Sequence, residues 1–162
     1  MQFQKKLAFS ILLLILFFSL VSCGNNNLYE NHKEFSTGFW QKDNLQSFDV
    51  QIDNATATTQ NHSIFYHLRY TTDYDYCNTY IRYKVFSPEG KLLVEKMKLD
   101  TLFDCTTGKP LGEGFGTVYT REFQLEKNFD FSTKGIYKIE LEQMMRKDSL
   151  EGIQTVGIRI TN

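Results

Sequence analysis

The chain has 162 residues, 41% of them apolar, 15% aromatic and 23% charged, with two prolines. Nineteen acidic residues against eighteen basic ones leave a formal net charge of −1, so nucleic-acid binding has no electrostatic support. Collagen-like and polybasic chains are excluded as well, and the composition fits one ordinary globular domain.

The first residues read as an export signal. Lys5 and Lys6 form a positive start, and Ile11 to Phe18 is an unbroken apolar run. The stretch from Leu7 to Ser22 is shorter than the roughly 20 residues a bilayer-spanning helix needs, so its length disfavours a retained membrane helix. Leu20-Val21-Ser22-Cys23 resembles the bacterial lipobox. There a cysteine thiolate accepts a diacylglyceryl group before the signal is removed. Cleavage before Cys23 makes 1–22 a signal peptide and leaves a chain long enough for one compact core. Several acyl chains on Cys23 would exceed what stable membrane anchoring requires. Gly24 to Asn27 contain no acid, which fits passage to an outer membrane. Residues 23–36 are polar and aperiodic and read as a lipidated N-terminus and flexible tether, followed by a domain over 37–162.

Within that domain the apolar period is two. Phe48, Val50 and Ile52 alternate with polar residues, as do Ile64, Tyr66, Leu68 and Tyr70. Ile81, Tyr83 and Val85 lead to Ser87-Pro88-Glu89-Gly90-Lys91, a turn in which proline presets φ and glycine permits φ > 0. A return strand over Leu92 to Thr101 follows. Beyond a glycine-rich loop, three further strands are expected on Tyr119, Phe123 and Leu125, on Tyr137, Ile139 and Leu141, and on Val156, Ile158 and Ile160. About seven strands with no sustained helical stripe predict an all-β antiparallel sandwich, immunoglobulin-like or jelly-roll-like. Tyr137, just after Gly135-Ile136, is expected to pack inward and to hydrogen-bond back through its hydroxyl.

The search for chemistry is mostly negative. His32, His62 and His67 show no metal-ligand spacing, no nucleophile-base motif occurs, and no cofactor is implied. His67 lies on the face opposite Tyr66 and Leu68 and reads as a solvated strand residue. Gly108, Gly112, Gly114 and Gly116 precede no helix and read as a turn-rich connection rather than a phosphate cradle. Glu140 and Glu142 share one strand face and look like the wet side of a sheet.

Two segments suit recognition. Tyr74, Tyr76 and Tyr80, with Asn78 between them, crowd the approach to the third strand and offer contact area at low entropy cost. Edge tyrosines covering the end of the sandwich would give the same pattern. Met144 to Gly152, including Arg146, reads either as a docking loop or as a hairpin whose Met145 and Leu150 cap the core. Cys77 and Cys105 flank the Pro88-Glu89-Gly90 turn by about 12 and about 15 residues, beyond the same end of a strand pair, within what a loop can absorb. They form a possible disulfide, or else two separate small hydrophobes.

Trp40-Gln41-Lys42-Asp43, Tyr74 to Asn78, Ser87-Pro88-Glu89-Gly90, Asp100-Thr101-Leu102, Gly112 to Gly116, Gly135-Ile136-Tyr137 and Met145-Arg146 through Gly152 to Ile158 occur in order. Together with the lipobox they resemble the gliding-motility lipoprotein GldH family. The chain departs from that pattern at Asp75 and Cys77, where a proline turn is lost and a thiol gained. The resemblance implies a non-enzymatic outer-membrane lipoprotein, required for gliding and associated with the type IX secretion machinery. It would face the periplasm and act through other envelope or gliding proteins. The residues alone also admit a lipid-anchored carbohydrate-binding module of an uptake system, motivated by the tyrosines.

Overall fold

The computed structural model describes residues 27–53 and 61–162, so the expected signal segment and Cys23 lie outside the described residues. Those residues contain eleven strands and no helix. They are β1 (Asn27–Glu34), β2 (Phe39–Gln41), β3 (Gln46–Ile52), β4 (His62–Thr71), β5 (Asn78–Phe86), β6 (Leu92–Thr101), β7 (Glu113–Phe115), β8 (Val118–Phe129), β9 (Gly135–Gln143), β10 (Ser149–Glu151) and β11 (Ile153–Thr161). A five-stranded sheet has the order β1-β11-β4-β8-β7 and a four-stranded sheet the order β3-β9-β5-β6, with β10-β2 as a small separate pair. Every pairing is antiparallel.

The all-β sandwich expected from the period-two pattern is the observed fold, with more strands than the seven expected. The four additional ones are β1, β2, β7 and β10. Three of these have only three residues, too few to show a period, and β1 is an edge strand whose outward residues are nearly all polar. Of the tether expected over 23–36, the part from Asn27 through Glu34 is instead β1, paired with β11. Backbone pairing to an already formed edge needs no apolar alternation, which is why composition misled there.

Both sheets turn their period-two apolar residues inward. Ile64, Tyr66, Leu68 and Tyr70 of β4 and Val156, Ile158 and Ile160 of β11 meet Phe48, Val50 and Ile52 of β3, Ile81, Tyr83 and Val85 of β5, and Tyr137, Ile139 and Leu141 of β9 in one buried core. Each fully buried large apolar side chain contributes about 1.5–3 kcal/mol. Buried tyrosines need partners for their hydroxyls, and here those partners stitch the sheets together. Tyr66 donates to Asp100 Oδ2 at 2.7 Å, Tyr70 to the Leu102 carbonyl at 2.7 Å, and Tyr83 to Glu126 Oε1 at 2.7 Å. Burial, reinforced by the Asp100 carboxylate, pushes the Tyr66 hydroxyl well above the ordinary phenol range. Tyr137 is buried, and its hydroxyl accepts from the Thr133 amide at 3.2 Å.

The register defines two poles. Asn27 pairs with Thr161, and Thr161 with Ser63, at one end of the five-stranded sheet. At the other end Tyr70 pairs with both Ile153 and Tyr119. The chain crosses from β4 to β5 at this second pole, so Asn78, Thr101 and Gln143 lie there too.

Candidate functional site

The loops of the second pole are tied to one another. Cys77 and Cys105 are joined by a disulfide with Cα atoms 5.1 Å apart. The Cys77 carbonyl also accepts from the Leu102 and Phe103 amides at 2.7 and 3.0 Å. Asp104 accepts from the Thr106 and Thr107 amides at 2.9 and 2.7 Å, and these donors hold its carboxyl below the usual range. Gly152 has φ +80° and passes so close to Tyr74 that a Cβ would stand 2.7 Å from its amide nitrogen. Glycine is required there on both counts.

The segment after β9 is shaped by Gln143. Its side chain is fully buried, with Oε1 accepting from the Met145 amide at 2.9 Å and Nε2 donating to the Lys147 carbonyl at 3.3 Å. The turn this creates sends Met145 into the core, while Met144 donates its amide to the Tyr80 carbonyl at 2.8 Å. Leu150 is buried against Trp40 through the β10–β2 pair. Lys147 Nζ reaches Asp75 Oδ2 at 2.6 Å, joining this segment to the tyrosine-rich loop, and that bond raises the lysine pKa.

Between the two segments lies a groove of about 420 Å³ lined by Tyr76, Tyr80, Met97, Met144, Met145 and Arg146. Three residues singled out from sequence, Tyr76, Tyr80 and Arg146, therefore meet at one place. Tyr74 does not join them on the surface. It is buried, burial pushes its hydroxyl up to about 12, and it donates to the Asn78 carbonyl at 2.9 Å while meeting Tyr76 edge to face. Asn78 is half-buried at the start of β5. Its main role in this arrangement is as a backbone acceptor. Arg146 is exposed.

Met97 escaped the sequence reading because β6 is inverted. In β6 the apolar residues Leu93, Met97 and Leu99 alternate with Lys96, Lys98 and Asp100, so a core-facing apolar set is the natural expectation. Instead Lys96 pairs with Glu126 at 2.6 Å, Lys98 Nζ donates to the Gln124 carbonyl at 2.7 Å, and Asp100 accepts from Tyr66. Lys96, Lys98 and Asp100 thus turn toward polar groups of β8, with Lys96 still largely exposed, while Glu95 stays on the outer face with Lys84. Met97 is left 63% exposed and Leu99 50% exposed, opposite Arg82 and Tyr80 respectively. A one-residue register slip would reverse this arrangement.

Elsewhere the outward faces are mostly polar, with Ile136 of β9 an exposed apolar exception. Glu142 lies on the outer face of β9 and pairs with Arg82 at 2.6 Å. His67 lies on the outer face of the five-stranded sheet beside Gly157, half-buried, and that burial lowers its pKa. The segment from Gly108 to Gly116 forms a turn-rich connection ending in β7, with Phe115 96% exposed at its tip. Among the described residues no group of three or more His, Cys, Asp or Glu is placed to hold a metal.

The GldH lipoprotein family matches residues 27–160, which is nearly the whole sandwich. The chain belongs to that family. Its GldH relatives include the gliding motility lipoprotein GldH homolog of Christiangramia forsetii, 31% identical and covering 94% of this chain and 95% of that protein. The gliding motility lipoprotein GldH of Flavobacterium johnsoniae is 26% identical, covering 92% and 93%. Likeness to solved structures is weak. Dimeric latent PorU from Porphyromonas gingivalis gives a TM-score of 0.38 at 9% identity, over 88% of this chain and only 14% of that one. The CBM22-1 xylan-binding domain from Paenibacillus barcinonensis Xyn10C gives 0.35 at 9% identity, over 88% and 99%. Neither carries an argument about this GldH-family chain.

Proposed function

We propose that the protein is a non-enzymatic, lipid-anchored component of the cell envelope that supports gliding motility by binding another envelope protein through the Tyr76–Tyr80–Met97–Arg146 groove. The observation that carries this reading is the inversion of β6. β6 turns Lys98 and Asp100 toward β8 and leaves Leu93, Met97 and Leu99 on its outer face beside Glu95, apolar area that a partner would remove from water. Tyr, Met and Arg are also the side chains enriched at the centres of protein interfaces. The names of both relatives support the link to gliding.

Anchoring through Cys23 is supported by its lipobox, and an outer-membrane, periplasm-facing address by the acid-free residues that follow it. A disulfide within the domain is in keeping with an exported protein. Association with the type IX machinery belongs to the same reading. A sugar-binding module would need hydrogen-bonding groups around its aromatic rings, whereas three of the six groove residues are methionines. The protein-binding reading is therefore preferred.

The test is replacement of the chromosomal gene by one encoding Tyr80→Ser with Met97→Asp. Gliding is expected to fail while protein level, fatty-acid labelling and thermal unfolding stay unchanged. Normal gliding in those cells would remove the reading.

A further inference from the structure

The groove lies at the end of the sandwich opposite the first described strand residue, and this bears on the kind of partner. β1 begins at Asn27, so only four Cα steps separate it from Cys23, a span of at most about 14 Å. Asn27 lies at the pole of Thr161 and Ser63. The groove lies toward the opposite pole, where β5 and the β4–β5 loop begin. Strands β4 and β6 each have ten residues, which at about 3.3 Å per residue separates the poles by about 33 Å. A lead joined at the far pole lets the sandwich stand with its groove about 33 Å from that point of attachment, beyond the lipid chains of the protein's own membrane.

The charges at the groove define the occupant further. Lys147 is engaged by Asp75, Arg82 by Glu142 and Lys98 by Asp100. Arg146 is exposed beside the methionines and forms no ion pair among the described residues. An apolar slot with one uncompensated guanidinium at its rim suits an apolar side chain next to a carboxylate. Methionine lining lets the slot adapt to more than one apolar shape.

We infer that the groove receives a peptide segment of a partner protein that stands clear of the anchoring bilayer, and that this segment carries an apolar side chain beside a carboxylate. The inference rests on the groove being the docking site and on lipidation at Cys23.

Of the four methionines, Met1 lies in the signal segment, and Met97, Met144 and Met145 all line the groove. The lipidated protein, labelled with 13C at its methionine methyls and placed in phospholipid nanodiscs, is therefore its own reporter. Acetyl-Asp-Leu-Phe-Asp-amide is expected to shift the Met97 and Met144 signals. It should bind about 3-fold more tightly than its Asn-Leu-Phe-Asn counterpart, the size of an exposed ion-pair contribution. Arg146→Gln is expected to abolish that ratio. A nitroxide on the lipid headgroups is expected to leave the Met97 signal sharp.

Silence of the methionines to both peptides, equal binding of the two, or broadening of Met97 by the lipid label would each overturn the inference. Its failure is distinguishable from failure of the motility reading. Methionine shifts together with normal gliding of the Tyr80→Ser, Met97→Asp strain keep the peptide site and remove its role in motility. Lost gliding with silent methionines does the reverse.

Discussion

On the outer face of the five-stranded sheet, Arg159 is paired with Glu122 and lies over the Phe65 ring at 4.7 Å, and Gly157 leaves room for the His67 imidazole. On the outer face of the four-stranded sheet, Tyr80, Met97 and Leu99 stand open beside the exposed Arg146. The same alternation of strand residues produces both faces. The first has its Arg159 charge and its Phe65 ring satisfied from within, so covering them would cost desolvation without return. The second keeps apolar area in water, worth about 25 cal/mol for each Å² that a partner removes. The difference teaches that pairing within a face, more than composition, decides which side of a sandwich is available for binding.

The strongest way to break this contrast is to remove the frame beneath the open face. Replacing Cys77 and Cys105 together by serine opens a loop of 28 residues' separation. It is expected to cost about 3.5 kcal/mol, a large share of a small domain's margin. Urea unfolding of the solubilised protein with and without reductant measures it, and reductant should affect only the parent. A parent whose unfolding is indifferent to reductant would show that the disulfide does not hold this pole.

Next in size is the device that pins the inversion of β6. Tyr66→Phe removes the hydroxyl that meets the mostly buried Asp100 carboxylate and is expected to cost about 1–3 kcal/mol. The same unfolding experiment applies, and a loss below 0.5 kcal/mol, the spread of ordinary surface substitutions, would assign the pinning to Lys96 and Lys98 instead.

A paired comparison then sharpens the two faces directly. Arg159→Ala on the satisfied face should lose about 0.5–1 kcal/mol, from one ion pair and one cation–π contact, and leave gliding intact. Met97→Gln on the open face should stay within about 0.5 kcal/mol of the parent and impair gliding. The opposite pattern would exchange the roles assigned to the two faces.

The smallest effect concerns His67. Burial depresses its folded-state pKa below the ordinary value of 6.5, so the unfolded chain binds the proton more readily. This contribution to stability is fully present above the unfolded pKa and declines as pH falls from 6.5 toward the lower folded value. His67→Gln is expected to flatten the stability profile in that window alone, as read from denaturation midpoints at a series of pH values. An unchanged slope would assign the acid sensitivity to other groups.

Much of the framework was legible because it rests on local rules. Residues such as Phe48, Val50 and Ile52 announce a half-buried strand through alternation, and Pro88 with Gly90 announces a turn. Tyr137 carries its own hydroxyl contact four residues back, at Thr133. Strands β2, β7 and β10 were hidden because three residues hold no period. β1 was hidden because only Leu28 and Tyr29 at its start pack against the core, and backbone pairing to the edge of β11 holds the rest. Tyr74 and Tyr76 look alike in sequence, two residues apart in a polar loop. Yet one is buried and donates to Asn78 while the other lines the groove.

What the sequence determined by itself was the class of fold and the candidate residues Tyr76, Tyr80 and Arg146, all of which depend on residue type and short spacing. What the tertiary structure decided was that these three meet, that Met97 joins them from a strand turned inside out, and that they sit at the pole remote from Asn27. Strand pairing over tens of residues and the register of each strand set those outcomes. A period of two says that the faces of a strand differ, and only the neighbours across the sheet and across the core choose which face turns outward.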